Sequence, residues 1–574
     1  MGPAGASEPR GLEVVMRIIK ILGWTAVLLL SLSFAGCGAP RKAPDYDLII
    51  ANGRVIDGTG NPWFYADVAI RGDSVAAVGR LKGRSASRII DARGQVVTPG
   101  FIDMHTHCES GLSSAALKAN LNYITQGVTT VVTGNCGYGP LKVLEASRAM
   151  TNIGTNAVIL AGFGTIRREV LGTDNRTPSA EELERMKSIL RRAMEEGAWG
   201  LSTGLQYIPD RYAGTDEIIA LARVVAEFGG IYSSHMRSEE ENLLDAVRET
   251  IRIGEESGAR ANISHFKATG KPNWGSLEKA VRLVREARER GVEITADMYP
   301  YRNSATVPLQ IVFSVPPGIG PFDELEKMAA REGIGGEEGA ALAARYAGEL
   351  TKALRDPEAR EKIRKTTEDG LPDRVNWVAK GGWQNFSIMS SLKHAELIGR
   401  MFCDLAAERK RSEFDIAADL YLEEGDGVTI SLSTMSEDDV LQALRQPWTM
   451  LGSDGSVVAE GESSVHPRNF GTFPRVLRKY VREEGVLGLE EAVRKMTSLP
   501  AMLLRLEDRG LVKPGCKADL VVFDPGTVRD EATFDTPRRI STGISHVLVN
   551  GKISLENGQV TDASHGVVLL RQAL

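Results

Sequence analysis

The sequence predicts an α/β protein: a (β/α)8 TIM-like barrel, a composite β-sandwich domain built from both chain ends, and a helical insertion. Three observations predict it. From Gly100 onward, apolar strand-like runs alternate with helical stretches, the pattern of parallel βαβ units. Polar, reactive side chains sit at the carboxyl ends of most of those runs, where such a barrel assembles its chemistry. Short strands with turn signals occupy residues 46–97 and return after residue 506, so the two ends are read as one β-domain.

The totals agree with this reading. A chain of 574 residues exceeds one ordinary domain, but a decorated barrel uses most of it. With 69 basic against 75 acidic residues the net charge is −6, which argues against a general nucleic-acid binder. The five cysteines, at 37, 108, 136, 403 and 516, lack the dense spacing of a disulfide scaffold.

Taken in order, residues 1–37 read as a targeting segment. Met16-Arg17-Ile18-Ile19-Lys20 is a short basic start, followed by an apolar run from Ile21 to Phe34 and then Ala35, Gly36 and Cys37. A basic start, a short apolar run and small residues make a secretory signal. The ending Ser-Phe-Ala-Gly-Cys resembles the lipobox of bacterial lipoproteins, with Phe34 where Leu is usual, and implies lipidation at Cys37. Residues 38–45 are then a tether, and the protein is expected at the bacterial cell envelope, touching the membrane through its lipid anchor only. Met16 is a candidate true start, because residues 1–15 lack signal-peptide character.

Residues 46–99 form the first part of the β-domain, with strands at Tyr46–Ala51, Arg54–Ile56, Ala66–Arg71, Ser74–Val78 and Arg88–Ile90 and a hairpin signal at Asn52-Gly53. Residues 100–505 form the barrel. Its strands begin at Phe101 and continue at Val128–Cys136, Ala157–Gly164, Trp199–Tyr207, Ile231–Arg237, Ala261–Lys267, Ile294–Tyr301 and Thr449–Ser456. Ser179-Ala180-Glu181-Glu182 opens a helix with capping-box spacing, and Gly197 ends it. Residues of about 315–445 are too many for a simple connection. Ala329–Thr366 is rich in Ala, Glu, Lys and Arg, so a mainly helical insertion is expected, with more strand-like runs at Asn376–Met389 and Thr429–Leu432, and an insertion of this size beside a site often covers it. Residues 506–574 complete the β-domain, through Lys517–Phe523 and His546–Val549.

The chemistry centres on Val97–Cys108, where His105 and His107 follow an apolar run. Residues two apart on a strand share a face, so the two imidazoles are expected to project together and bind a divalent metal. Cys136, His235 and His265 also stand near strand ends. One thiolate with two imidazoles suits Zn²⁺ and leaves a fourth position for water. Asp454 ends the last strand, placed to take a proton from that water and return it to a leaving amine. Locally, Asp454-Gly455 also reads as an ordinary turn.

These motifs together resemble the amidohydrolase superfamily, and more closely its N-acyl-D-amino-acid deacylase (D-aminoacylase) branch. The resemblance is carried by His105-Thr106-His107, Gly134-Asn135-Cys136-Gly137, Gly200 to Leu205, Ser234-His235-Met236-Arg237, Ile263-Ser264-His265 with Lys267, Tyr299-Pro300-Tyr301, Ser453-Asp454-Gly455 and His466-Pro467-Arg468, with a general superfamily tail at Lys513 to Pro525. It implies one tight zinc at Cys136, His235 and His265 and a weaker second site at His105 and His107. It also implies that Asp454 acts as general base and acid, that Arg468 grips the substrate α-carboxylate, and that Lys267 and Tyr299 assist around a small-molecule N-acyl amino acid. A guanidinium fork suits a carboxylate through two parallel charge-assisted bonds. Cys108 stands where relatives often carry an acidic residue, which puts the second metal in question. Arg302 either favours an acidic substrate side chain or faces solvent. The expected reaction is zinc-dependent hydrolysis of a linear N-acyl-D-amino acid. The alternatives are a cyclic-amide hydrolase of the dihydroorotase or hydantoinase kind, and a surface lipoprotein that uses the fold for binding. The sequence does not fix the oligomeric state.

Overall fold

The computed structural model describes residues 1–2, 43–322, 324–325, 336–371, 376–461 and 465–571. The expected signal segment, most of the tether and the lipidation position Cys37 therefore lie outside the described residues. Among those residues, no helix is long and apolar enough to cross a membrane.

The chain opens with β1 (Tyr46–Val55), β2 (Phe64–Arg71), β3 (Ser74–Gly79), β4 (Ala86–Asp91) and β5 (Val96–Pro99). Asn52-Gly53 is not the expected hairpin turn. The strand runs through it, and the register against β2 shifts between Ile50 and Gly53. Asn52 takes a φ of 63° there, so an Asn-Gly pair has made a bulge instead of a reversal.

The central region supplies parallel strands: β6 (Phe101–Asp103), β7 (Val128–Thr133), β8 (Asn156–Ile159), β9 (Ala161–Gly162), β10 (Gly200–Gly204), β11 (Ile231–His235), β12 (Arg260–Ile263) and β13 (Ile294–Met298). An inserted body contributes β14 (Ala305–Pro308), β15 (Phe386–Ser390) and β16 (Thr429–Leu432), after which β17 (Thr449–Leu451) rejoins the parallel set. The carboxyl-terminal part supplies β18 (Leu520–Phe523), β19 (Ile544–Val549), β20 (Lys552–Glu556) and β21 (Gln559–Val560).

The parallel strands fall into two sheets, β6-β7-β8 and β17-β13-β12-β11-β10-β9. Backbone hydrogen bonds bridge them. Met104 N–H donates to the Leu451 carbonyl (3.1 Å), and Trp199 N–H to the Ile159 carbonyl (2.9 Å). Helices pack on these strands through alternating apolar positions. In the helix Ala180–Glu195, Met186, Leu190, Ala193 and Met194 are buried while the opposite face is charged. Its amino end is the expected capping box: Glu182 N–H donates to the Ser179 hydroxyl, and Ser179 N–H to the Glu182 carboxylate.

Strands from both chain ends join one sheet, because β18 pairs antiparallel with β5, placing Leu520 opposite Pro99 and Phe523 opposite Val96. By hydrogen bonding it is a single nine-stranded sheet, not two separate ones. Alternate residues from both ends, Ile50, Val68 and Ile70 with Leu520, Val522 and Leu548, share one apolar cluster.

The insertion has its own apolar cluster, running from Leu309 to Leu432. It is less purely helical than its composition suggests. Helices Gly336–Arg355 and Pro357–Asp369 are joined by an antiparallel sheet in the order β14-β16-β15. The next helix, Glu437–Leu444, packs against Leu277–Glu289, and its Val440, Ala443 and Leu444 join the main core. The body between β13 and β17 thus spans Ala305 to Leu432.

Candidate metal centre

The predicted ligand residues converge although they come from distant parts of the chain. The local reason differs from the alternation expected of strands. Only His235 lies inside its strand, as the last residue of β11. His105 and His107 follow β6, Cys136 follows β7, His265 follows β12, and Asp454 follows β17. Cys136, His265 and Asp454 take positive φ values of 55°, 35° and 52°. Among the described residues, asparagines and two helix-terminating residues account for the other side chains with positive φ. Left-handed backbone at an L-residue is disfavoured and persists where surrounding structure enforces it. Here it turns each side chain off its strand axis toward a common point.

The Cys136 loop shows how that enforcement works. A Cβ on Gly137 would collide with the Asp210 carboxylate, and one on Gly139 with the Leu160 carbonyl. Asp210 in turn accepts a hydrogen bond from Gly204 N–H at 2.7 Å. Asn135 donates to the Val132 carbonyl (3.0 Å), which ties the loop back to β7.

The Cys136 Sγ lies 3.4 Å from His105 Nε2, 3.8 Å from His235 Nδ1 and 3.8 Å from His265 Nε2. A tetrahedral zinc with ordinary Zn–S and Zn–N bonds places sulfur and nitrogen about 3.6 Å apart, so these separations fit a shared ion. Two three-residue groups share the thiol: Cys136 with His235 and His265, and Cys136 with His105 and His107. A third joins His105, His265 and Asp454. Among the described residues, this is where such groups occur.

Outer contacts orient the ligands. The Glu239 carboxylate lies 2.8 Å from His265 Nδ1 and accepts from Lys267 Nζ at 2.6 Å. Such a carboxylate fixes the ring and leaves Nε2 to face the thiol. Asp297 accepts from His265 N–H (2.8 Å) and lies 3.5 Å from His105 Nδ1. Asp454 stands 3.2 Å from His107 Nε2, 3.6 Å from His105 Nε2 and 3.0 Å from Arg468 Nη1. Arg468 also donates to the Ser304 carbonyl at 2.8 Å and lies 5.0 Å from the Tyr299 ring centre.

Burial holds His235 and His265 well below the usual histidine range, whereas at His105 and His107 burial is outweighed by Asp297 and by Asp454 with Cys136, which raise His105 and bring His107 to about 10. Neutral imidazole is the ligating form. Burial pushes the Asp454 carboxyl up, but Arg468 and the neighbouring histidines outweigh it and hold the group well below the carboxylate range. Burial also opposes charge on Lys267, yet Glu239 beside it brings the ammonium to about 12. The Tyr299 hydroxyl is buried without a partner.

These groups line a cavity of about 390 Å³. Cys136, His107, His235, His265, Asp454, Arg468, Lys267 and Tyr299 all reach it, and the fully buried His105 lies beneath. Two positions raised by the sequence do not. Arg302 is exposed, with its Nε toward the Met435 carbonyl, and the Cys108 thiol is buried away from the cavity. The acidic neighbour Glu109 takes its hydrogen bond from Gly134 N–H.

Sequence reasoning missed Glu239, Asp297, Tyr138, Tyr207 and Trp377. Asp297 could have been found, since it sits in the Ala-Asp-Met end of a predicted strand. Glu239 and Trp377 had no periodic signal. Trp377 reaches the cavity from the inserted body, as do Ser304 and Ala305 at its threshold, so the insertion forms one wall.

The model of a family described as amidohydrolase matches residues 88–555. A D-aminoacylase of Alcaligenes xylosoxydans xylosoxydans is 34% identical over 555 residues, 92% of this chain and 98% of that protein. An N-acyl-D-glutamate deacylase of the same organism is 34% identical over 88% of this chain and 93% of its own. Among solved structures, an N-acyl-D-glutamate deacylase from Bordetella bronchiseptica, complexed with zinc and a phosphonate mimic of the tetrahedral intermediate, is 31% identical. The match covers 92% of this chain and 99% of that one, with a TM-score of 0.71.

Proposed function

Because the chain belongs to the amidohydrolase family, we propose that its cavity hydrolyses the amide bond of N-acyl-D-amino acids, releasing a carboxylate and a D-amino acid. The observation that carries this reading is the meeting of the Cys136, His235 and His265 donor atoms beside Asp454 and Arg468. The donor set favours zinc, with Cys136, His235 and His265 as its main ligands and His105 and His107 as a weaker second site. When bound, the ion polarises the scissile carbonyl and lowers the pKa of water.

The remaining roles belong to the protein. Arg468 binds the substrate α-carboxylate; its guanidinium reaches the cavity at the Tyr299 end. Lys267 keeps its charge through Glu239 and adds positive potential there. The unpartnered Tyr299 hydroxyl offers a donor that substrate can satisfy. Asp454, ionised and beside the ligand histidines, takes a proton from water and returns it to the departing nitrogen. The bridged parallel sheets support a (β/α)8 barrel as the frame of this site, within domain bounds of 46–99, 100–505 and 506–574. Export to the cell envelope with a lipid on Cys37 is proposed on the sequence alone, and Cys37→Ser would then leave the protein in the soluble fraction.

A panel of N-acetyl D- and L-amino acids, run with metal analysis of the same preparation, tests the activity. Turnover of D-forms with bound zinc is the expected result. Turnover of dihydroorotate in preference to N-acetyl-D-methionine would move the assignment to cyclic amides, and a metal-free preparation that cleaves no amide would sink it.

A further inference from the structure

The cavity continues past the residues that hold the metal, the proton and the carboxylate. Its lining can be followed contact by contact. Arg468 and Tyr299 stand at one end, with Asp454 3.0 Å from Arg468 and His107 3.2 Å from Asp454. Cys136, His265 and His235 follow. Beyond them the Tyr207 ring centre lies 4.8 Å from that of His235, and the Tyr138 ring centre 5.9 Å from that of Tyr207.

In an N-acyl amino acid, the α-carboxylate and the acyl chain leave the amide on opposite sides. With the carboxylate at Arg468 and the carbonyl at the ligand cluster, the acyl chain is directed at Tyr207 and Tyr138. Both rings keep much of their surface open, Tyr138 at 52% and Tyr207 at 36% exposure, although both line the cavity. They are held in place by backbone bonds. Tyr207 N–H donates to the Gly204 carbonyl (2.8 Å), Arg211 N–H to the Tyr207 carbonyl (2.8 Å), and Tyr138 N–H to the Asn135 carbonyl (3.2 Å). An acetyl group has one methyl beyond its carbonyl and covers little of this aromatic shelf.

We propose that Tyr138 and Tyr207 form an acyl subsite that selects apolar acyl groups larger than acetyl, of the medium-chain alkanoyl or arylacetyl kind. This rests on the deacylase reading above and extends it from the amine half of the substrate to the acyl half. Tyr138 and Tyr207 are specificity-determining residues in this scheme, with no part in proton transfer.

The test uses the zinc-loaded enzyme and the N-acetyl, N-hexanoyl and N-phenylacetyl derivatives of one D-amino acid. Each buried methylene contributes up to about fourfold in kcat/KM, so the hexanoyl or phenylacetyl derivative is expected to exceed acetyl by at least tenfold. Tyr138→Ala and Tyr207→Ala should each shrink that ratio, and Tyr138→Phe should keep it. The ratio within one variant is insensitive to how much of the preparation is folded. Acetyl equal to or better than both larger groups overturns the subsite alone, as does a ratio unchanged in both alanine variants. Failure to turn over any derivative overturns the deacylase reading and the subsite with it.

Discussion

At the scale of single residues, Asp454 is the position whose loss separates binding from chemistry. Its carboxylate lies against Arg468 and His107, while the Cys136, His235 and His265 donor atoms meet without it. Asp454→Asn is therefore expected to keep zinc, measured by metal analysis, while turnover falls by about 10²–10⁴-fold, the usual worth of a positioned acid–base group. Asp210 makes a different prediction. Burial pushes its carboxyl up to about 8, and Gly204 N–H opposes this only in part. Unfolded, the same group titrates in the ordinary carboxylate range, near about 4. Between those values the folded chain holds a proton that the unfolded chain has lost, so stability falls as pH rises through that window and levels above it. Compared by urea unfolding, the stability advantage of the native chain over Asp210→Asn should therefore shrink from pH 5 to pH 8. The predicted ligands and Asp454 were legible because each is a reactive residue type near the end of an apolar run, whereas Arg468, Lys267 and Tyr299 came only from the family resemblance. Glu239 was not legible, since a carboxylate that steadies His265 from another strand connection leaves no mark in local sequence.

At the scale of elements, strand and helix identity came through more faithfully than their ends. Periodicity of apolar residues marks where a strand runs, but positive φ at Cys136, His265 and Asp454 decides where it stops, and backbone handedness has no periodic signature. The same limit explains Asn52-Gly53, whose turn chemistry is equally that of a bulge. The helix Ala180–Glu195 is the opposite case, because its start is written in side chains that cap it. Ser179→Ala removes the acceptor for Glu182 N–H and should cost about 1 kcal/mol. The check is a lowered urea midpoint with kcat/KM unchanged, since the cap lies away from the cavity.

At the scale of the whole molecule, the proposed metal centre would draw its ligands from the connections after β6, β7 and β12 and from the end of β11, so an ion there would staple sequence-distant parts together. A ligand bound only by the folded state stabilises it by about 2.7 kcal/mol at a hundredfold excess over Kd. Chelation should accordingly lower the calorimetric melting temperature, and added zinc should restore it. The alternating strand-helix pattern made the parallel core legible, and the return of β-character made the shared end-domain legible, while the insertion's sheet showed only as strand-like runs at Asn376–Met389 and Thr429–Leu432 whose pairing the sequence left open. That shared domain has a consequence for how the polypeptide is made. One edge of β5 pairs with β1 at once, but the other finds β18 after the parallel sheets and the insertion have been synthesised. A nascent or prematurely released chain therefore presents an open strand to its surroundings, the feature that aggregation and proteolysis recognise. Synthesis must pass Phe523 before that edge is sealed, so the fold registers how far translation has gone.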